Sequence, residues 1–363
     1  MARSERLKVG LLFGGRSAEH EVSIVSAQGV LAALDPQRFQ ALPIGITKQG
    51  TWLTPKGTAQ ALAAIKAERF RSLEEPLGEG ILHRVQALSA LRRLDVVFPL
   101  VHGTMGEDGT LQGFLELAGV PYAGAGVAAS ALGMDKALQQ AIYRQHGLPV
   151  PGSLVILAPD WQDSPQASRR EIEANIGYPC FIKPANGGSS IGTSKVGSRG
   201  ELDGALEEAL RYDRKALVEV AIEGRQLEVA VLGNDEPQAS PLGEVSFGRE
   251  FYDYVAKYDD PDTRLHIPAE VPPQAAERAR EMALAAFRAI DCAGLARVDF
   301  FLTPEGDLYL NEINTIPGFT PMSMYPKLWE AAGLPYSDLI TRLIELAQER
   351  HQADVRRGNP RCV

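Results

Sequence analysis

Two apolar strands that carry charge on one face constrain this chain more than any other stretch. The segment RVDFFLTPEGDLYLNEIN, residues 297–314, flanks a turn containing Pro304, Glu305 and Gly306, a pattern that predicts a β-hairpin. Strand side chains alternate between faces, so Arg297 and Asp299 share one face, as do Glu312 and Asn314. An even-length turn centred between Glu305 and Gly306 puts Asp299 opposite Glu312. A slip of one residue would send the two pairs to opposite faces. The favourable register gathers two carboxylates, an amide oxygen and a guanidinium within strands otherwise filled with Val, Phe, Leu and Tyr. An all-oxygen set of this kind suits Mg²⁺, which keeps waters and completes its shell with substrate phosphates. The plainer alternative is a surface hairpin bearing an Arg–Asp pair.

Upstream, short apolar runs alternate with helical patterns. The spacing predicts strands over 7–13, 39–46 and 95–100 (DVVFPL), with helices over 23–34 and 109–118. Alternating β and α with near-continuous apolar strands indicates a doubly wound parallel sheet, helices on both faces. The stretch 52–79 is rich in Gly, Pro and charge, has no strong period, and reads as a peripheral insertion. Near Gly124 and Gly126 the pattern resets. Helices are expected over 127–133 and 136–146, strands over 153–156 and 180–184, a helix over 201–211 and a strand over 216–220. From Leu227 the strands lengthen and read as antiparallel: 227–232, 243–247, 295–302 and 308–313. A helix over 274–290 interrupts them and one over 336–350 closes the set. Three domains are therefore expected: an α/β domain over 1–124, a central α+β unit over 125–220 and an antiparallel-sheet unit over 221–352, with a tail over 353–363.

Three loops carry further candidates. KPANGGSSIGTSKV, residues 183–196, follows the strand CFIK. Its glycines let backbone N–H groups face an anion, Ser189 and Ser190 add hydroxyl donors, and Lys183 supplies a point charge for a phosphate. It is neither GxxxxGK[ST] nor GxGxxG, and a Gly/Ser-rich loop alone is more often merely a mobile loop. GGRSAEHEVS, residues 14–23, lies beyond the carboxyl end of the first strand, where ligands bind in open α/β sheets. Glu19 there either holds a substrate ammonium or decorates a helix N-terminus. HGTMGEDGTLQG, residues 102–113, occupies the same topological position. His102 either orients a substrate carboxylate or carbonyl or is structural.

Composition bounds the class. The chain has 363 residues, which at about 150 per domain allows two to three domains. Lys plus Arg number 37 against 46 Asp plus Glu, a net −9, which argues against nucleic acid as main partner. No window reaches the ~18 apolar residues of a membrane span. The start, MARSERLKVGLLFGG, has an apolar stretch too short for a signal peptide. Cys180, Cys292 and Cys362 are too widely separated for a disulfide framework or zinc spacing. A soluble, cytoplasmic α/β enzyme or binding protein is expected.

With these elements in this order, the chain resembles the D-alanine–D-alanine ligases of the ATP-grasp superfamily, from about Val9 to near Arg350. The motifs are GGRSAEHEVS, HGTMGEDGT, GMDK, KPANGGSSIG, YDYVAKY, RVDFFL and NEINTIPGFT. The resemblance implies an N-terminal α/β domain followed by a two-domain ATP-grasp fold. It implies that Asp299, Glu312 and Asn314 hold two Mg²⁺ ions, with Mn²⁺ able to substitute, and that Lys136, Lys183 and the loop around Ser189 and Ser190 contact the ATP phosphates. Glu219 and the backbone at Ile222 would read adenine, Gln226 the ribose. Lys257 and Tyr258 would come from a closing loop. Glu19 would bind the first D-alanine's ammonium and, with Ser189 and Tyr258, link three domains. His102 would orient that substrate, Arg297 would stabilise an oxyanion, and Gly318, Ser323 and Met324 would receive the second substrate's carboxylate. The family usually has glutamate where this chain has Gln226, which keeps an acceptor oxygen but no charge. Tyr258 favours a dipeptide product over the ester D-alanyl–D-lactate.

The implied activity is ATP-dependent ligation of two D-alanines for peptidoglycan synthesis, by a cytoplasmic homodimer. Rivals are a related ligase taking D-lactate or another D-amino acid second, and a nucleotide-binding regulatory module with a decayed site. A dinucleotide-dependent oxidoreductase is disfavoured, because no GxG spacing follows Gly14 and Gly15.

Overall fold

A computed structural model describes residues 6–64, 73, 81–82, 89–246 and 263–358, and three β-sheets organise them. In the first, β1 (Leu7–Gly14) lies between β2 (Phe39–Ile46) and β5 (Val96–Pro99) and runs parallel to both. Each face of β1 meets a different layer. Val9, Leu11 and Phe13 pack with Ile24, Ala27 and Val30 of α1 (His20–Ala33), whereas Leu12 packs with Leu111 and Leu115 of α3 (Thr110–Ala118). Burial on both faces explains the unbroken apolar run.

The stretch expected as a peripheral insertion instead extends this sheet. β3 (Trp52–Leu53) and β4 (Ile81–Leu82) add as antiparallel edge strands, with α2 (Pro55–Ala64) between them. The Trp52 ring packs edge-on against Phe114 at 5.4 Å, and Gly45 N–H donates to the buried Thr58 hydroxyl at 2.9 Å. Two-residue strands are too short to show a period of two, so only these contacts reveal them.

Past α4 (Val127–Met134) and α5 (Lys136–Gln145), a second sheet is antiparallel throughout. It comprises β6 (Ser153–Leu157), β7 (Cys180–Pro184), β8 (Ser194–Val196) and β9 (Lys215–Val220), in the order β6–β9–β7–β8. Two helices absent from the sequence reading, α6 (Ala158–Asp163) and α7 (Pro165–Asn175), follow β6. They are polar and bury only Trp161, Ser168 and Ile172, too few positions to print a helical stripe. By contrast, α8 (Arg199–Tyr212) buries Leu202, Ala205, Leu206 and Ala209, one face in regular i, i+3, i+4, i+7 spacing.

The third sheet runs β12–β11–β10–β13–β14, with β10 (Arg225–Gly233), β11 (Gln238–Ser246), β12 (Arg264–His266), β13 (Gly294–Leu302) and β14 (Leu308–Asn314) all antiparallel. α9 (Pro273–Ala289) packs Ala279, Met282, Ala283, Ala286 and Phe287 against it. Asp299 does face Glu312, and Arg297 faces Asn314, but the route differs from an even-length turn. Leu302 pairs with Leu308, leaving an odd loop over 303–307, with Gly306 at φ 92 and its N–H donating to Thr303 O at 3.0 Å. Continued regularly, that ladder would set Asp299 against Asn311 and turn Glu312 into the core. A bulge between Leu310 and Glu312, at Asn311, corrects the phase.

α10 (Met324–Ala331), also unanticipated, precedes α11 (Tyr336–Arg356), which outruns its expected end. α11 reaches back to the first sheet: Leu339, Ile340, Leu343 and Ile344 share a core with Val9, Leu11 and Phe13. Its Arg350 lies 4.6 Å from the Tyr122 ring centroid and donates to Tyr122 O at 3.0 Å. No helix among the described residues is long and apolar enough to cross a membrane.

Candidate active site

Loops beyond the first sheet join residues of the other two sheets in lining one cleft of about 880 Å³. Among the candidates read from the sequence, Glu19, His102, Lys136, Lys183, Ser189, Ser190, Glu219, Ile222, Gln226, Arg297, Asp299, Glu312, Asn314, Gly318, Ser323 and Met324 all border it. Lys257 and Tyr258 lie outside the described residues.

The floor is strand-built. β10, β13 and β14 place Glu228, Asp299 and Glu312 in one cross-strand row. Arg297 donates Nε–H and an Nη–H to the two oxygens of Asp299, each at 2.7 Å, and its Nε also lies 2.9 Å from Glu228 Oε2. Asn314 Nδ2 donates to Asp299 Oδ2 at 3.0 Å. Lys136, at the start of α5, approaches Glu312 Oε2 to 3.2 Å and donates to Gly187 O at 2.7 Å. Burial disfavours the Lys136 ammonium, but the Glu312 carboxylate outweighs it and raises the lysine above its ordinary value. Gln139 holds the edge strand, its Oε1 accepting from Ile313 N–H at 3.1 Å, between the two β14 candidates.

The wall is the loop after β7. Ser189 and Ser190 adopt φ of 50 and 58, and Gly192 a φ of 70. Two consecutive non-glycine residues in the left-handed region are uncommon, and such strain collects at ligand clamps. Lys183 Nζ lies 2.5 Å from Glu219 Oε2, and Gln140 donates to the other Glu219 oxygen.

Loops of the first sheet close the far end. Ser189 Oγ donates to Glu19 Oε1 at 2.5 Å, joining the second sheet's loop to the first. Bare backbone surrounds that carboxylate: a Cβ on Gly188 would stand 2.8 Å from Glu19 Oε2 and one on Gly103 only 2.7 Å. His102 Nδ1 meets Ile316 O at 3.0 Å and lies 3.6 Å from Glu107 Oε1. Burial disfavours charge on both partners. The Glu107 contact nonetheless lifts the imidazole above its ordinary value, while burial holds the Glu107 carboxyl above its own. The Ser323 hydroxyl accepts from Thr320 N–H at 3.1 Å, folding the loop that carries Gly318 against the start of α10.

The sequence reading passed over Glu228, Glu107 and Gln140. Glu228 had a signal, as the one charge in the run LEVAVL; Glu107 and Gln140 needed the fold to bring them near His102 and Glu219. Among the described residues no group of three or more His, Cys, Asp or Glu has metal-binding geometry. The set Asp299, Glu312 and Asn314 is two carboxylates and an amide, whose oxygen chemistry and shared face fit a hard cation that completes its shell from water and phosphate.

A parallel-sheet domain leading into two antiparallel sheets, with a Gly/Ser loop and two lysines facing a carboxylate pair across a cleft, defines the ATP-grasp class of ligases. The chain belongs to the D-alanine–D-alanine ligase family: residues 8–125 match "D-ala D-ala ligase N-terminus" and residues 142–345 match "D-ala D-ala ligase C-terminus". It is similar to the D-alanine--D-alanine ligase of Deinococcus radiodurans, 51% identical over 345 residues, covering 94% of this chain and 98% of that one. The enzyme of that name from Geobacillus kaustophilus is 47% identical over 352 residues, 96% of each chain. Among solved structures, the D-alanine-D-alanine ligase from Coxiella burnetii superposes with TM-score 0.80 at 35% identity, covering 97% of both chains. The VanG D-Ala:D-Ser ligase from Enterococcus faecalis superposes with TM-score 0.81 at 36% identity, covering 94% of this chain and 100% of that chain.

Proposed function

We propose that this chain joins two D-alanines into D-alanyl-D-alanine, converting ATP to ADP and phosphate, for peptidoglycan synthesis. The observation that carries the reading is the Asp299–Glu312 register, set in the same cleft as the Ser189–Glu19 bond between sheets. Domains over 1–124, 125–220 and 221–352, a homodimer and a cytoplasmic location belong to the same reading.

Asp299, Glu312 and Asn314 would hold two Mg²⁺ ions, or Mn²⁺, which would supply positive charge to offset that of the ATP phosphates. Lys136 and Lys183 bind phosphate oxygens, each released from a carboxylate it now contacts, while Ser189 and Ser190 cover the γ-phosphate. Glu219 accepts from the adenine amino group, the Ile222 backbone completes base recognition, and Gln226 accepts from the ribose. Glu19 holds the first D-alanine's ammonium and His102 orients its carboxylate. A carboxylate oxygen attacks the γ-phosphorus, the bond to the bridging oxygen breaks, and ADP leaves. Gly318, Ser323 and Met324 bind the second substrate's carboxylate. Its ammonium gives a proton to water, the free amine attacks the acyl carbon, and Arg297 stabilises the oxyanion until phosphate departs with the acyl oxygen and the nitrogen's second proton. The resemblance assigns Lys257 and Tyr258 to the same reaction, in which excluding water would protect the acyl phosphate.

Phosphate release from ATP, measured with D-alanine, D-lactate, D-serine and L-alanine, tests the reading. Release is expected with D-alanine and Mg²⁺ alone. Strong turnover only when D-lactate or D-serine is the second substrate would instead establish the alternative, which the likeness to a D-Ala:D-Ser ligase keeps in view.

A further inference from the structure

The carboxylate row has one member with no role in the reaction above. Glu228 is 5% exposed, and β10 sets it opposite Asp299 while β13 sets Asp299 opposite Glu312. Three acidic side chains thus cross adjacent strands at a spacing of about 4.8 Å, an arrangement that like-charge repulsion and burial both disfavour. Lys136 offsets one end of the row. Arg297 sits between the other two members, and its position is asymmetric. Its Nε carries a single hydrogen, which is donated to Asp299 at 2.7 Å, while Glu228 Oε2 stands 2.9 Å from the same nitrogen. A small rotation of the guanidinium exchanges one acceptor for the other.

That exchange matters because Asp299 is doubly engaged. The Arg297 fork occupies both of its oxygens, and Asn314 donates to Oδ2 as well. With three of its roughly four acceptor positions taken, a carboxylate so held ligates a cation more freely once it gives up the fork. A guanidinium released without a second anion would drift from the place where an oxyanion develops.

We propose that Glu228 is a positioning residue that takes over the Arg297 guanidinium as Asp299 turns to a divalent cation. It frees the ligand and keeps the oxyanion donor in place. The inference rests on Asp299 being a cation ligand, as read above.

Mn²⁺ titration of the full-length protein with ADP, followed by electron paramagnetic resonance, tests it without turnover. Glu228→Gln keeps the shape and is expected to weaken Mn²⁺ binding about tenfold, the lower range for a residue supporting a metal ligand. In an Arg297→Met background, where no fork holds Asp299, the same Glu228→Gln change is expected to cost under about twofold, a non-additivity that marks action through Arg297. Should Arg297→Met not fold, Arg297→Lys, a point charge without a fork, serves the same comparison. Equal losses in both backgrounds would mean that Glu228 acts only as a nearby charge, and no loss in the wild-type background would mean that it does not act; either overturns the proposal. Wild-type Mn²⁺ binding that survives Asp299→Asn would instead remove the ligand reading itself, and this inference with it.

Discussion

The parallel sheet and the third, antiparallel sheet reach the same cleft by different means. Glu19 and His102 stand on loops just past β1 and β5, whereas Gln226, Glu228, Arg297, Asp299, Glu312 and Asn314 stand on strand faces. The loop side is fastened by side-chain bonds to backbone. Ser17 Oγ donates to His102 O at 2.6 Å, and Ser23 Oγ accepts from Gly14 N–H at 2.7 Å. The strand side is fastened chiefly by register, with Gln139 bonded to the Ile313 backbone, and one bulge at Asn311 decides which face Glu312 occupies. Loop geometry can be lost one bond at a time, while a phase error in a strand moves every later side chain. The groups proposed to hold cations therefore sit where geometry is collective, and the proposed D-alanine readers Glu19 and His102 where it is local.

Four substitutions probe that division. The largest effect is expected on the strand side: Glu312→Ala should lower D-alanine-dependent phosphate release about 10³-fold, as for loss of a principal stabiliser of transition-state charge. Unchanged turnover in that variant would refute the cation assignment. On the loop side, Glu19→Gln should raise the D-alanine KM about 10- to 100-fold through loss of a charge-assisted hydrogen bond, with Mn²⁺ binding intact. Gly188→Ala sharpens the same point, because its Cβ would stand 2.8 Å from Glu19 Oε2. A similar rise in KM without any change in cation binding is expected; a joint loss would show that the two sides are not independent. Next, Gln226→Glu should lower the ATP KM about threefold, a charged acceptor being the stronger one.

The smallest effect lies outside the cleft. Arg225 donates in a fork to Glu244 at 2.8 and 2.6 Å, tying β10 to β11, and that bond holds the Glu244 carboxyl below its ordinary 4.5. A depressed carboxylate adds stability above its unfolded value, and that contribution is lost as pH falls through the folded one. Since the pair is partly solvent-exposed, Glu244→Gln should cost under about 1 kcal/mol in urea unfolding at pH 7, with the difference shrinking as pH falls below 4.5. A pH-independent difference would contradict the ion-pair account.

The same division governs what could be read in advance. The hairpin's facing carboxylates were legible because alternation is a period of two and the interrupting charges stand out among apolar neighbours. The expected pairing was found, although an odd loop and a bulge produced it, since bulges leave no periodic mark. Glu228 carried the same signal one strand away and went unread, because its partner lies 71 positions downstream at Asp299. On the loop side no period exists, so Glu19 and His102 were read only from their place past strand ends, and Gly318 and Ser323 drew their roles from the resemblance. Polar helices such as α7 and two-residue edge strands escaped notice because too few of their positions are buried.

The account's central claim is that a D-alanine carboxylate is phosphorylated in this cleft and then gives up its oxygen with the departing phosphate. Supplying ATP, Mg²⁺ and D-alanine labelled with ¹⁸O in the carboxyl group, and examining the released phosphate by mass spectrometry, measures that directly. The account predicts one ¹⁸O atom in each phosphate formed from fully labelled substrate, in step with D-alanyl-D-alanine. Dipeptide formed with unlabelled phosphate, or phosphate released without dipeptide, would contradict it.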